Sequence, residues 1–224
     1  MITSASNVRL KLIRRLESRR QRAKLGLFAC EGEDLVDAAL AAGIEPHDLL
    51  RAGEDVEPEL LAGVSTLGHP PRVIGVFRRG DLPVWEPRPV GLALWHVADP
   101  GNVGTLIRSA DAFGGSVALS EGCADPTSPK ALRGSAGAIF RVPLGRFDET
   151  AGHRVALVAH GGTPLTEVEV PTPTVFVLGA EREGLPDDVV AACDAAASIP
   201  LADGAESLNV AAAGAVALYE WSRR

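Results

Sequence analysis

The second half of the chain alternates apolar, strand-like runs with helical or irregular segments. The first run, VGLALWHVA (90–98), is long and apolar enough to be covered on both faces, as strands of parallel sheets are. Further runs lie at 116–120, 155–160 and 174–179. Strands that alternate with helices in this way form a parallel sheet. We therefore predict an α/β fold whose second half is a parallel-sheet domain.

The first part of the chain carries strand and helix signals of its own, which predict a separate small α/β unit. The apolar run VIGVF (73–77) is suited to a central strand, and the apolar stripe of a helix recurs after Glu33. The predicted elements are strands at 25–30 and 73–77, short strands near Leu49 and Val64, and a helix from Glu33 to Ala42 closed by Gly43.

A proline-rich segment divides these two regions. Within RRGDLPVWEPRP, the prolines at 83, 87 and 89 interrupt any helical or strand periodicity. We therefore predict one domain over 1–80, a linker over 81–90 and a second domain over 91–224.

Composition excludes several classes of protein. Of 224 residues, 46% are hydrophobic and 23% are charged, which is typical of a globular domain and not of a disordered or fibrous chain. No run approaches the ~18 uninterrupted apolar residues that cross a bilayer, so we expect a cytoplasmic protein with no membrane partner. Because Cys30, Cys123 and Cys193 lack the spacing of a zinc site or a disulfide framework, we expect buried thiols and no metal.

Charge is distributed unevenly along the chain. The net charge is −7, yet residues 1–24, which we call the basic arm, carry eight lysines and arginines against a single acid. Apolar residues recur in the arm at helical spacing, which predicts an amphipathic helix with one positive side. Such a side suits contact with RNA phosphates, and a solvated helix face is the alternative. The candidate RNA contacts are Arg14, Arg15, Arg19 and Arg20.

The segment ADPGNVGTLIRSADAFGG (98–115) places a strand, a tight turn and a helix in immediate succession. Asn102 suits the N-cap of a helix over 103–113. Arg108 projects away from the buried stripe of that helix, so it can reach a ligand or remain an ordinary exposed arginine. The turn is neither GxGxxG nor GxxxxGK[ST], which argues against a dinucleotide-dependent enzyme on a Rossmann sheet.

Two later segments also end apolar strands in polar loops. In LGAEREGLPDDV (178–189), Gly179 allows a ligand to approach the backbone, and Glu181 can accept hydrogen bonds or simply belong to a polar turn. IPLADGAESLNVAAAGAVALYE (199–220) leads through an acidic loop into a closing helix predicted from Ser207 to Arg224. Ser207 and Asn209 lie at the start of that helix, where Ser207 can cap it, contact substrate or do both.

These three segments, in this order and spacing, resemble the signature segments of the SpoU/TrmH-family RNA ribose 2′-O-methyltransferases of the SPOUT superfamily. The stretch SPKALRGSAGAIFRVP (128–143) resembles the family's sequence between the first two, so the resemblance covers residues 91–221. In the N-terminal part, FACEGEDLVDAAL after a basic helix is similar to the small α/β RNA-binding domain that precedes the catalytic domain in the ribosomal-RNA branch of the family.

The resemblance implies a fold and a cofactor. Members of the family pass their C-terminal segment through a loop and so form a deep trefoil knot, an exception to the rule that chains avoid threading. S-adenosylmethionine binds within the knot. The cofactor-binding positions carried over to this chain are Gly179, Ile199, Leu201, Leu208 and Asn209.

The resemblance also implies catalytic residues and a homodimer through the knotted domain. The matching active-site positions are Asn102, Arg108, Glu181, Ser207 and Asn209. Arg108 is expected to act on the 2′-hydroxyl, often in the partner's site, with Asn102 and Glu181 fixing the geometry. Because a guanidinium normally stays charged, orienting phosphate or stabilising the developing alkoxide is as plausible for Arg108 as a base role.

The expected activity is therefore methyl transfer from S-adenosylmethionine to a ribose 2′-hydroxyl of RNA. Ribosomal RNA is the expected substrate and partner because of the N-terminal domain. Transfer RNA is the alternative substrate, and a non-catalytic RNA-binding protein with the same fold is the alternative function.

Overall fold

The structure is a computed structural model that describes all residues, 1–224. It contains a three-stranded antiparallel sheet in the first part of the chain and a seven-stranded parallel sheet in the rest. The elements of the first part are α1 (Val8–Leu16), α2 (Arg19–Leu25), β1 (Leu27–Glu31), α3 (Glu33–Ala41), β2 (Asp48–Arg51), α4 (Pro58–Ala62) and β3 (Val73–Arg78). Those of the second are β4 (Val90–Leu94), α5 (Pro100–Ala112), β5 (Ser116–Leu119), α6 (Pro129–Ser135), β6 (Leu144–Arg146), β7 (His153–Leu157), β8 (Thr163–Pro164), β9 (Thr174–Leu178), α7 (Asp187–Ala191), β10 (Ala195–Ser198) and α8 (Val210–Ser222).

In the N-terminal sheet, β3 lies between β1 and β2 and pairs antiparallel with both. Its residues 73–77 are all buried, which confirms the predicted central strand. The strand predicted near Leu49 is β2. The strand predicted near Val64 is wrong, because Val64 is buried in the turn after α4. One buried valine without an alternating pattern satisfies a turn as well as a strand.

The basic arm folds as two helices rather than one. Helix α1 buries Leu10, Ile13 and Leu16 at helical spacing, and the chain turns at residues 17–18 before α2 begins. The predicted amphipathic character is confirmed, but the break between the helices changes the direction in which the arm's cations project.

The C-terminal sheet has the strand order β6-β5-β4-β9-β7-β10-β8, and every neighbouring pair is parallel. The four predicted strands correspond to β4, β5, β7 and β9, although β4 ends at Leu94, earlier than the apolar run suggested. The strands β6, β8 and β10 carry the short sequences LGR, TP and AAAS. Segments of two to four residues are too short to show an apolar run or an alternating pattern, so the sequence gives no strand signal there.

Both faces of this sheet are covered, as a parallel sheet requires. On one face, α8 packs against the centre of the sheet and against α5. A Cβ added to Gly214 of α8 would lie 2.3 Å from the Leu106 side chain and 3.3 Å from that of Leu178. On the other face, Ala93 and Val175 form a smaller cluster with Val189 of α7. The segment after β10 must therefore return across the sheet before α8 begins.

Helices α5 and α6 are in close backbone contact. A Cβ added to Gly104 would lie 2.3 Å from the Ala131 carbonyl oxygen and 2.9 Å from the Cα of Gly134. Only glycine therefore fits at position 104, and this contact holds α6 beside the start of α5.

The two sheets share one continuous hydrophobic core. Phe28 and Phe77 from the N-terminal sheet pack with Phe140, and the ring centroids lie 5.8–6.3 Å apart. Residues 81–90 are also packed: the Leu144 amide donates to the Pro83 carbonyl at 3.2 Å, and Trp85 covers Gly145. The two parts of the chain are therefore in fixed contact.

The thiols are free, and Cys30 and Cys123 are buried while Cys193 is half-buried. Burial raises the pKa of Cys30 above its ordinary value. The structure contains no group of three or more His, Cys, Asp or Glu side chains that could hold a metal ion. None of the helices combines the length and apolar character needed to span a bilayer.

We expect Gly104→Ala to destabilise the protein by about 3 kcal/mol, because the added methyl group must push the α6 backbone away from α5. Denaturant unfolding measures this cost. Gly80→Ala is the control, since a Cβ there meets no atom within 4 Å and should change stability by less than ~0.5 kcal/mol. Equal effects of the two substitutions would contradict the close contact.

Candidate active site

A cleft opens at the carboxyl edge of the C-terminal sheet. It is lined by the segments that follow β7, β9 and β10 and by the start of α8. Most of its lining residues are hydrophobic. We call this space the edge cleft. Its position agrees with the rule that ligands of open α/β sheets bind outside the carboxyl ends of the strands.

Four of the five predicted cofactor positions line the edge cleft. They are Gly179, Ile199, Leu201 and Leu208. Their backbone N–H and C=O groups have no backbone hydrogen-bond partner, so they are free to bind a ligand. The fifth, Asn209, is not a lining residue, although Leu208 and Val210 on either side of it are.

Only glycine fits at position 179. A Cβ at this position would lie 2.2 Å from the carbonyl carbon of Gly184, so the 179–184 loop folds back tightly only with glycine here. The edge cleft thus combines apolar walls, unpaired backbone groups and a narrow backbone turn. An adenosine-containing cofactor such as S-adenosylmethionine fits these features, because its base can be bound by backbone groups between apolar side chains.

A chain of hydrogen-bonded side chains lies beside the cleft. The Asn102 amide donates from Nδ2 to Glu181 Oε1 at 3.0 Å, and Asn209 Nδ2 donates to Asn102 Oδ1 at 3.1 Å. The backbone amides of Ala98 and Asp99 donate to the same Glu181 carboxylate at 3.3 and 3.1 Å. Three predicted catalytic residues from distant parts of the sequence are therefore brought together.

These contacts determine the charge state of Glu181. Partial burial raises its pKa, but the hydrogen bonds from Asn102 and from the backbone amides outweigh burial and lower the pKa below 4.5. Glu181 is therefore ionised at neutral pH. A carboxylate with a lowered pKa stabilises the fold above its unfolded pKa, and this contribution is lost as pH falls through the folded value.

The prediction that Asn102 is an N-cap is wrong. The cap of α5 is Asp99, whose Oδ1 accepts from the amides of Gly101 and Asn102 at 2.7 and 3.1 Å. Proline at the first helical position follows Asp99, and this Asp-Pro pair was the sequence signal for the true start. As a result, the Asn102 side chain lies inside the first turn and is free to bind Glu181.

The start of α8 also differs from the prediction. Asn209, not Ser207, caps this helix, and its Oδ1 accepts from the amides of Ala211 and Ala212 at 2.9 and 3.2 Å. Ser207 lines the edge cleft and is exposed. Its hydroxyl makes no hydrogen bond within the chain, so it remains available to a ligand.

Arg108 does not join the other predicted catalytic residues. It is exposed on α5, as predicted, and forms no ion pair or hydrogen bond in the chain. It lies six residues beyond Asn102, or roughly 9 Å farther along the helix at 1.5 Å per residue, and on another side of it. Within one chain, Arg108 and Glu181 therefore face different regions.

The four predicted RNA contacts of the basic arm are all exposed. Arg19 and Arg20 form no ion pair, Arg14 donates to the Ala5 carbonyl at 3.1 Å, and Arg15 donates to Gln21 at 3.2 Å. Two other cations of the arm serve the fold instead. Arg9 pairs with Asp48, and Arg22 pairs with Asp125.

Sequence reasoning missed two parts of the site. One is the ion pair at 2.6 Å between Lys130 and Asp99, which lowers the pKa of Asp99 through its hydrogen bond and joins α6 to the start of α5. The other is the lining segment 157–159, which was predicted as part of the strand 155–160, whereas β7 ends at Leu157.

Comparison with known proteins finds a matching family for each of the two parts of the chain. The SpoU rRNA Methylase family matches residues 89–219, and the MRM3-like substrate binding domain matches residues 7–75. The chain belongs to the SpoU rRNA methylase family. It is accordingly an RNA methyltransferase of the S-adenosylmethionine-dependent type, with an N-terminal substrate-binding domain.

Among related sequences, the 23S rRNA (guanosine(2553)-2′-O)-methyltransferase RlmP of Bacillus subtilis is 31% identical over 242 residues, covering 97% of each chain. Among solved structures, the AdoMet-bound rRNA methyltransferase from Sinorhizobium meliloti superposes with a TM-score of 0.90 at 30% identity, covering 99% of this chain and 97% of that one. The SpoU methyltransferase AviRb from Streptomyces viridochromogenes, in complex with AdoMet, gives 0.84 at 28% identity and 97% of each chain.

These likenesses confirm the predicted fold class. The C-terminal part is a SPOUT domain with a parallel sheet, preceded by a small α/β domain. S-adenosylmethionine, the cofactor in both neighbouring structures, fits the edge cleft on the physical grounds given above.

We expect Glu181→Gln to destabilise the protein by about 1 kcal/mol at pH 7, because an amide cannot accept all the hydrogen bonds that the carboxylate does. The difference from wild type should shrink as pH falls through the lowered Glu181 pKa, since the wild-type carboxylate is then protonated. Unfolding between pH 3 and pH 7 tests this, with the exposed neighbour Glu183→Gln as control. A difference independent of pH would contradict the ionised state.

Proposed function

We propose that this protein transfers a methyl group from S-adenosylmethionine to a ribose 2′-hydroxyl of ribosomal RNA. The observation that carries the proposal is the chain of hydrogen bonds Glu181–Asn102–Asn209 beside an apolar cleft suited to the cofactor. The substrate class is supported by relatives such as RlmP, whose name states a 23S rRNA ribose 2′-O-methyltransferase. With ribosomal RNA as substrate, the cytoplasm is the compartment we propose.

The residues proposed to hold the cofactor are those whose backbone faces the edge cleft. Gly179, Ile199 and Leu208 present unpaired N–H and C=O groups to the base and ribose, and Leu201 contributes apolar surface. Asn209 acts less directly, by capping α8 and so fixing the position of Leu208. When bound, the cofactor supplies an electrophilic methyl group on a sulfonium centre.

The polar residues are proposed to place the ribose in line with that methyl group. Asn102 is held between Glu181 and Asn209, so its amide is fixed relative to the edge cleft. Ser207 adds an unpaired hydroxyl at the cleft wall. Arg108, an unpaired cation, would orient a phosphate and stabilise the negative charge that develops on the ribose 2′-oxygen.

We propose that the active protein is a homodimer through the knotted domain. Helix α8 has one charged residue in 13 and no polar face, yet Ala212, Val216 and Tyr219 form an exposed stripe along it. An apolar stripe of this kind is typically covered by a partner. A two-fold dimer would also bring the otherwise isolated Arg108 of one chain to the edge cleft of the other.

We propose the domain division 1–80, 81–90 and 91–224, with the first domain binding RNA. The exposed cations Arg14, Arg15, Arg19 and Arg20 of its basic arm are the proposed phosphate contacts. They concentrate positive charge on a chain whose net charge is −7.

The decisive experiment is transfer of radiolabelled methyl groups to separated ribosomal and transfer RNAs from cells that lack this gene. We expect label on ribosomal RNA, located to a 2′-oxygen by resistance to alkaline cleavage. Label on transfer RNA alone would overturn the substrate class. Absence of label on naked RNA and on ribosome-assembly particles, with cofactor binding intact, would favour a non-catalytic RNA-binding protein.

In the same assay we expect Arg108→Ala to lower the rate at least 100-fold without changing cofactor affinity, because the lost cation acts on the RNA and not on the cofactor. Arg88→Ala is the matched control, since Arg88 pairs only with its neighbour Glu86. Near-normal turnover by Arg108→Ala would remove this residue from the mechanism.

Replacing Arg14, Arg15, Arg19 and Arg20 together by glutamine should weaken RNA binding and flatten its dependence on salt. Each lost phosphate contact should reduce the log–log salt slope by about 0.7–0.9. Filter binding at several salt concentrations measures the slope, and cofactor affinity should stay constant. An unchanged slope would reduce these arginines to a solvated helix face.

Sedimentation should give the wild-type protein about twice the chain mass of 23.3 kDa. Val216→Glu should yield monomers that have lost methyl transfer, because charge would enter the apolar contact. Thr166→Glu, at an exposed loop residue, should remain dimeric. A fully active monomer would refute the proposal that the partner completes the site.

A further inference from the structure

A buried ion pair joins the basic arm to the C-terminal domain, and none of the machinery described above uses it. Arg22 Nε donates to Asp125 Oδ2 at 2.9 Å, and the two side chains are 3% and 4% exposed. Removing two charges from water is costly, and such a pair is retained only with good geometry and additional hydrogen bonds. Both conditions are met here.

On the arm side, Arg22 holds the turn between α1 and α2. Its Nη1 donates to the carbonyls of Leu16 and Glu17, each at 2.8 Å. These are the carbonyls of the last residue of α1 and of its C-cap, where the helix dipole is negative. One guanidinium therefore fixes the angle between the two helices from which the RNA-contacting arginines project.

On the catalytic side, Asp125 is held just as firmly. Its Oδ1 accepts from the amide and the hydroxyl of Thr127 at 2.9 and 2.7 Å. Arg79, which follows β3, approaches the same oxygen at 3.5 Å. Asp125 thus binds one arginine from the beginning of the N-terminal domain and another from its end.

The neighbour of Asp125 in the chain, Ala124, is hydrogen-bonded to the loop that holds Glu181. The amide of Ala124 donates to the Val97 carbonyl at 2.9 Å. The residue after Val97, Ala98, donates its own amide to Glu181 at 3.3 Å. A short series of hydrogen bonds therefore runs from the basic arm to the carboxylate that holds Asn102.

We propose that Arg22 and Asp125 are positioning residues that fix the basic arm relative to the loop 97–99, so that RNA held by the arm presents its ribose to Asn102 and Glu181. The inference rests on the proposed methyl transfer and deepens it. Both side chains are buried and so are not available to RNA or cofactor. Their role is to set the distance between the place where RNA is bound and the place where it reacts.

The test uses the full-length protein with Arg22→Met and Asp125→Asn combined, so that neither member of the buried pair leaves the other charged and unpaired. Arg79 also loses its carboxylate partner, but its side chain is 33% exposed and can be solvated. We expect the single-turnover methylation rate at saturating enzyme to fall at least tenfold. The Kd for RNA should change less than threefold, because the arm's exposed arginines remain. The Kd for S-adenosylmethionine should not change.

The matched control is Arg9→Met with Asp48→Asn. This pair also anchors the arm, with Arg9 Nε 2.9 Å from Asp48 Oδ2, but it ends on β2 of the N-terminal domain. Its single-turnover rate should stay within twofold of wild type. All rates are compared at a temperature where thermal unfolding shows each variant fully folded. Equal slowing by both double variants, or no slowing by the first, would overturn the inference.

Hydrogen exchange separates this inference from the proposed activity. In the wild type, RNA binding should slow exchange of the amides of residues 97–99, and the Arg22/Asp125 double variant should bind RNA without that protection. If the wild type methylates no RNA, the proposed activity is wrong. The exchange measurement still shows whether RNA binding at the basic arm is coupled to residues 97–99. Identical protection in wild type and variant would overturn the coupling whatever the enzyme activity.

Discussion

The candidate active site depends on the carboxylate of Glu181, which ties the segment after β9 to the turn after β4. Parallel strands bring their carboxyl ends to one edge, but proximity alone does not fix side chains. Glu181 does so by accepting hydrogen bonds from the backbone amides of Ala98 and Asp99 and from the side chain of Asn102. Because Asn209 then binds Asn102, the start of α8 is fixed to the same point. Two of these segments, the one after β9 and the start of α8, line the edge cleft, so the hydrogen bonds of Glu181 and Asn209 hold two of its walls.

The packing of small residues makes this arrangement possible. Gly104 lets α6 approach α5 until backbones touch, and Gly214 lets α8 lie against both α5 and the sheet. Because α6 and α8 pack so closely against α5, the first turn of α5 and its N-cap, which carry Asn102 and Asp99, have little room to move. Lys130 of α6 adds an ion pair to Asp99 at that same turn. Helix packing thus determines how rigidly the polar residues are held.

The sequence predicted the fold class and most residues of the candidate site, but not the hydrogen bonds that join these residues. Apolar runs identified β4, β5, β7 and β9, because a buried strand must be apolar along its length. The strands β6, β8 and β10 could not be found, since segments of two to four residues are too short to show a strand pattern. The resemblance supplied Asn102, Glu181 and Asn209 as separate positions, whereas their hydrogen bonds to one another join residues 79 and 107 positions apart.

By itself, the sequence determined which residue types were available: a basic arm, apolar strands, glycines at tight turns and polar residues after strands. These features are local and follow from composition and spacing. Only the tertiary structure decided how each charge is used. Of the arm's cations, Arg9 and Arg22 are directed inward to Asp48 and Asp125, while Arg19 and Arg20 remain in solvent. The reason is physical: a charge is buried or exposed according to whether a distant partner arrives beside it, and no local pattern contains that partner.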